Sequence, residues 1–166
     1  MKRLHPAPLD GAAFAPFGDV IEAAGRDSLS INAGTTDRFD DLARVNVSRE
    51  GGRPLISIFR ARPREFPLPV EMVERHPLGS QAFMPLEPAT FVVLVAPAGD
   101  TVRAEDLRAF VTNGRQGVNF HAGIWHHPLL ALDRETGFLV VDRGGPGDNC
   151  DEHCFPAADR VLLDRQ

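Results

Sequence analysis

The sequence predicts a mainly β protein of one domain, residues 1–166, folded as a sandwich or barrel with a few short helices. Three observations predict it. Short segments rich in β-branched and aromatic residues, with partial alternation, recur along the chain. The 15 glycines and 14 prolines are spread out, so they punctuate many short elements and mark no linker. With 166 residues, 43% of them hydrophobic, the chain can bury roughly 70% of its unfolded surface around one core.

The elements follow in order. "LDGAAFAPFG" opens a helix, with Asp10 as its N-cap and Gly18 just past its end. Strands are expected over "ARVNVSR" (43–49), "PLISIFRAR" (54–62), "QAFMPL" (81–86), "TFVVLVAP" (90–97), "AFVTN" (109–113), "GVNFHAG" (117–123), "HPLLALD" (127–133) and "GFLVVDRG" (137–144). "NGRQG" (113–117) and "DRETG" (133–137) carry the Asn and Gly of tight hairpin turns. A short helical turn is expected over "AEDLR" (104–108). There is no internal repeat and no low-complexity segment.

Charge and composition exclude several classes of partner. The net charge is −5 and the 18 Lys and Arg are scattered, whereas a nucleic-acid face needs them clustered against phosphate. No apolar run approaches the roughly 20 residues that span a bilayer. The chain has two cysteines, Cys150 and Cys154, and opens on no charged-then-apolar leader; the expectation is a cytoplasmic protein with reduced thiols.

"GVNFHAGIWHHPLLAL" (117–132) packs three of the six histidines and the single Trp into one run. On a strand, positions two apart share a face, so His126 opposes His121 and His127 unless a turn intervenes. Gly123 supplies such a turn, and a bend there is expected to let His121 and His126 converge on one interior. Trp125 reads as core or pocket wall. His5 and His153, near the termini, read as ordinary structural or surface residues. In "EMVERHPLGSQAFMPLEP" (71–88), Glu74 and His76 stand one residue apart, hence on one strand face, and Gln81 follows. Two donors so placed can meet a single ion. "DNCDEHC" (148–154) offers a second metal reading through Cys150, His153 and Cys154, without the fourth ligand and paired spacing of zinc sites.

The pattern Glu74-x-His76-x4-Gln81, with Pro88 seven residues on, resembles the first motif of the cupin superfamily, and "HAGIWH" resembles the second. More specifically, "ERHPLGSQAFMPL", "AFVTNGRQGVNFHAGIWHHPL" and "FLVVDRGGPGDNCD" resemble the ureidoglycolate lyase family, as do "AFAPFGDVIE" and "LISIFRARP". The resemblance runs through most of the chain. It implies a cupin-like β-barrel of jelly-roll type, a homodimer, and cleavage of ureidoglycolate to glyoxylate and urea with a divalent metal, nickel being the ion implied. Carried over position by position, it implies a metal shell of Glu74, His76, Gln81 and His126. The usual His-His-Glu-His set is here Glu-His-Gln-His, and a neutral Gln is a poor ligand that can contact substrate instead.

The chemistry so implied needs a base for the substrate hydroxyl, a group that assists urea departure, and a guanidinium for the carboxylate. Glu74, His121, His126 and His127 are the candidates for proton transfer, with His121 favoured over His127 as base. Arg60, Arg143, Gln81 and Asn32 are the candidates for substrate contact. Arg60 follows Ile56 and Ile58 in alternation and needs an anionic partner; Arg143 has Asp142 beside it. Asn32, in the polar tract 32–42, sits where a loop can cap the barrel mouth. An amidohydrolase that releases ammonia, and a non-catalytic module that binds a small acid, are the alternative readings.

Overall fold

A computed structural model describes residues 1–165. Its strands form three layers. The middle sheet has seven strands, in the order Asp151–Cys154, Met72–Arg75, Trp125–His126, Phe91–Ala96, Arg108–Val111 and Ala7–Pro8, with Leu130–Ala131 also paired to Phe91–Ala96. A five-stranded sheet, Gly18–Ile21, Gly117–Phe120, Gln81–Pro85, Thr136–Gly144 and Arg53–Ala61, covers one face. Three short strands, Arg3–Leu4, Leu162–Leu163 and Leu68–Pro69, lie against the other. The mainly β expectation holds, with two large sheets facing each other; among the described residues, hydrogen bonding does not close them into the expected barrel.

The segment "FVVLVA" explains the layering. All six residues are buried, because alternate side chains serve two cores. Phe91, Val93 and Val95 pack toward the five-stranded sheet, with Phe83, Phe120 and Phe138, while Val92, Leu94 and Ala96 pack with Trp125 and Leu163 on the other side. A strand covered on both faces reads as a continuous apolar run. By contrast, Arg53–Ala61 pairs on one side only. Its outward residues Ile56 and Ile58 are 76% and 64% exposed, with Leu139 beside them.

Several local expectations are corrected. Asp10 does cap the first helix, accepting from the amides of Ala12 and Ala13 at 2.7 and 3.0 Å, but the helix is only Gly11–Phe14. Pro16 has no N–H to carry the helical ladder on, and Gly18 already begins a strand. The expected turn over 104–108 is a 3-10 turn, Ala104–Asp106. No strand forms over 43–49. Its backbone is held by side chains instead of a ladder: Arg44 N donates to Asp19 and Asn46 N to Ser80 Oγ, while Asn46 O accepts from Ser80 N at 2.8 Å.

Candidate active site

Between the two large sheets lies a cavity of about 470 Å³. Its walls are mostly apolar, and its polar lining is Glu74, Gln81, His126 and His127, with Arg60 also bordering it. Strand register builds the polar end. His126 pairs with Val95 on one side and with Glu74 on the other, and Val95 faces the cavity core, so His126 and Glu74 face it too. His76, two residues past Glu74, shares that face.

The turn at 121–124 makes this register possible. Gly123 takes φ +80, a left-handed conformation that favours glycine, Ile124 N donates to His121 O, and Gly123 N donates to His76 O at 2.9 Å. The last bond ties the two histidine-bearing segments together. The bend falls after His121, and it does not bring His121 inward. Val118 and Phe120 are the inward residues of their strand, so His121 projects to the other side of the sheet. There its Nε2 meets Asp19 Oδ2 at 3.1 Å. Burial works to raise the Asp19 pKa, yet the Arg44 amide and the Asn119 and His121 side chains hold it below the ordinary 3.8.

The tautomers of His76 and His126 follow from their backbone partners. His126 Nδ1 donates to Ile124 O at 3.0 Å, and His76 Nδ1 donates to Asn149 O at 2.7 Å. A carbonyl only accepts, so each Nδ1 carries a proton and each neutral ring offers a lone pair at Nε2. Both Nε2 atoms are buried and without a hydrogen-bond partner among the described residues. They point at one carboxylate oxygen, Glu74 Oε1, from 3.5 Å for His126 and 3.8 Å for His76. His126 is 2% exposed and lies flat on Phe120, with ring centroids 4.4 Å apart and planes 17° apart, so its direction is fixed.

One atom each from Glu74, His76 and His126 lie within 4.8 Å of one another. Two imidazole lone pairs and a carboxylate, each ring braced through its other nitrogen by a backbone carbonyl, suit a divalent transition ion. The orphaned Nε2 atoms are what makes the fit physical, since buried acceptors without a partner are costly. His127 borders the same cavity with Nδ1 donating to Pro128 O at 2.8 Å; burial pushes its pKa below 6.5.

The remaining expected residues are placed as follows. Gln81 lines the cavity, and its Nε2 donates to Asp142 Oδ2 at 3.1 Å. Arg60 is 73% exposed at the side chain, with Glu135 3.5 Å away as its anionic partner. Arg143 is buried, and its guanidinium donates to the carbonyls of Arg49, Glu50 and Pro146, none of them in the cavity. Asn32 is exposed in the turn between Leu29–Ile31 and Thr36–Arg38, away from the cavity lining. Trp125 belongs to the other core, its indole N–H donating to Gly99 O at 2.9 Å under the Arg75 guanidinium. Cys150 and Cys154 are free and exposed, and His153 packs on Trp125 and Phe155, so the Cys-His-Cys cluster does not assemble. Asp142 is the residue that sequence reasoning passed over. Alternation after Phe138 and Val140, both inward, would have put it on the cavity face.

Fold and site together define a layered β protein in which a carboxylate and two imidazoles converge beside a cavity between the two large sheets. The chain belongs to the ureidoglycolate lyase family, whose model matches residues 1–162. It is 58% identical over 156 residues to the ureidoglycolate lyase of Burkholderia mallei strain NCTC 10229, covering 94% of this chain and 91% of that one. To the ureidoglycolate lyase of Pseudomonas aeruginosa strain LESB58 it is 54% identical over 166 residues, covering 100% and 98%. Among solved structures it is similar to a 3,4-ketoisomerase of Helicobacter canadensis, with a TM-score of 0.41 at 10% identity over 86% and 87% of the two chains. No helix among the described residues is long and apolar enough to cross a membrane.

Proposed function

We propose that this chain cleaves ureidoglycolate to glyoxylate and urea. The observation that carries the reading is the convergence of Glu74, His76 and His126 beside the cavity between the two large sheets, in a chain matched to the family nearly end to end. In the reaction the substrate hydroxyl loses its proton and its carbon–oxygen bond becomes the glyoxylate carbonyl. The carbon–nitrogen bond breaks with its electron pair going to nitrogen, which takes up a proton and leaves as urea.

The residues divide the work by position. His127 has its Nδ1 proton committed to Pro128 O, so Nε2 is its acceptor nitrogen; it takes the hydroxyl proton and returns it to the departing nitrogen. The Arg60 guanidinium, expected to receive the substrate carboxylate, stands instead on the outer face with Ile56 and Ile58 and pairs with Glu135 there. The apolar walls around Phe83, Phe91 and Phe120 keep bulk water from the aldehyde as it forms. Glu74, His76 and His126 are the residues that would hold a divalent ion, nickel being the one the resemblance implies. Bound there, such an ion supplies a Lewis acid that makes the hydroxyl more acidic.

The homodimer implied by the resemblance finds support in the exposed Ile56, Ile58 and Leu139 on the outer face of the five-stranded sheet, an apolar strip at an unpaired strand edge. A cytoplasmic location agrees with two unpaired cysteines. Product analysis tests the reaction. Urea and glyoxylate in equal amounts are expected from ureidoglycolate; ammonia in place of urea would make the chain an amidohydrolase, and binding without turnover would make it a small-acid receptor.

A further inference from the structure

Gln81 poses a problem of orientation. It is 6% exposed on the cavity wall, and its Oε1 is buried with no hydrogen-bond partner among the described residues. An amide can turn over and exchange its donor and acceptor ends, so something must decide which end faces the cavity. Asp142 decides it. The register Val141↔Ala82 and Val140↔Phe83, continued one step, sets Asp142 opposite Gln81, on the face that Phe138 and Val140 share with the cavity core. A carboxylate offers only acceptors, so the Gln81 nitrogen must turn to it, as the 3.1 Å contact shows. The oxygen is left as the free end.

We propose that Asp142 is a positioning residue. It holds the Gln81 amide with its oxygen free on the cavity wall, where that oxygen accepts an N–H of the substrate's terminal ureido group. The inference rests on the lyase reading and deepens it, since it names what selects a ureido group over an acyl group of the same shape. A site built to accept a hydrogen bond discriminates against a ligand lacking the donor. The discriminating partner here is one oxygen, oriented by a neighbouring carboxylate that does not itself touch substrate.

The test compares ureidoglycolate with its acetamido analogue, in which methyl replaces the terminal NH2. Wild type is expected to favour the ureido substrate in kcat/KM by about tenfold or more. Asp142→Ala is expected to lower kcat/KM for the ureido substrate by about tenfold and to leave the analogue within about twofold. Asp142→Asn, which keeps the shape and can still accept from Gln81 in one of its two amide orientations, is expected to lose less. Gln81→Glu, which sets two carboxylates against each other, is expected to be impaired. Combining it with Asp142→Asn reverses donor and acceptor, keeps an oxygen toward the cavity, and is expected to restore the ureido preference. A parallel fall for both substrates in Asp142→Ala and Asp142→Asn, or no change for either, would overturn the positioning role. Failure of wild type to cleave either compound would instead overturn the lyase reading, and the ureido contact with it.

Discussion

Replacing His126 by alanine is expected to lower kcat/KM for ureidoglycolate by about 10²- to 10⁴-fold, the range typical of losing a positioned proton-transfer or metal-binding group. The size follows from how thoroughly the ring is fixed. Phe120 sets its plane, Ile124 O sets its tautomer, and burial leaves its Nε2 no other partner than the Glu74 and His76 side of the cavity. Alanine removes the lone pair that His126 turns toward Glu74 and His76. His121→Ala is the matched control, expected to stay within about threefold of wild type, because that ring lies outside the cavity against Asp19. Steady-state kinetics on both variants separate the two histidines directly. Equal losses would return His121 to the site.

Phe138→Ala is expected to destabilise the fold by about 3–5 kcal/mol. The ring is fully buried between the two large sheets. It meets Phe91 nearly edge-on at 5.1 Å and Phe83 at 6.5 Å, so its loss opens a hole that both sheets border. At roughly 2–4 °C per kcal/mol for a chain of this size, the melting temperature should fall by about 10 °C, read by scanning calorimetry. A shift under about 2 °C would mean the two sheets do not share this core.

Much of this architecture could be read from the chain because the long strands carry their own signal. "FVVLVA" and "GFLVVDRG" appear almost where they were expected, as Phe91–Ala96 and Thr136–Gly144. The two-residue strands, such as Trp125–His126 and Leu68–Pro69, could not be read, since pairing with distant neighbours defines them. "ARVNVSR" has strand-like composition, but the side chains of Asp19 and Ser80 bind its amides, and a contact between residues 25 or 34 apart leaves no local trace. The site divides the same way. Spacing alone put Glu74 and His76 on one face, whereas the addition of His126 depended on cross-strand register. His121 stays outside the cavity because the strand keeps its alternation through Phe120 and the chain turns only at Ala122 and Gly123. Arg60 has the expected anionic partner in Glu135, but the face it shares with Ile56 and Ile58 is open, not buried.

We propose that the two backbone-braced imidazoles of His76 and His126 and the Glu74 carboxylate form a single cation-binding centre. Calorimetric titration of the chelator-treated protein with Ni²⁺ tests it most directly. Wild type should bind about one equivalent per chain, and His76→Ala, which removes one of the two orphaned Nε2 atoms, should weaken that binding at least about tenfold. Absence of binding by wild type, or unchanged affinity in His76→Ala, would contradict the account.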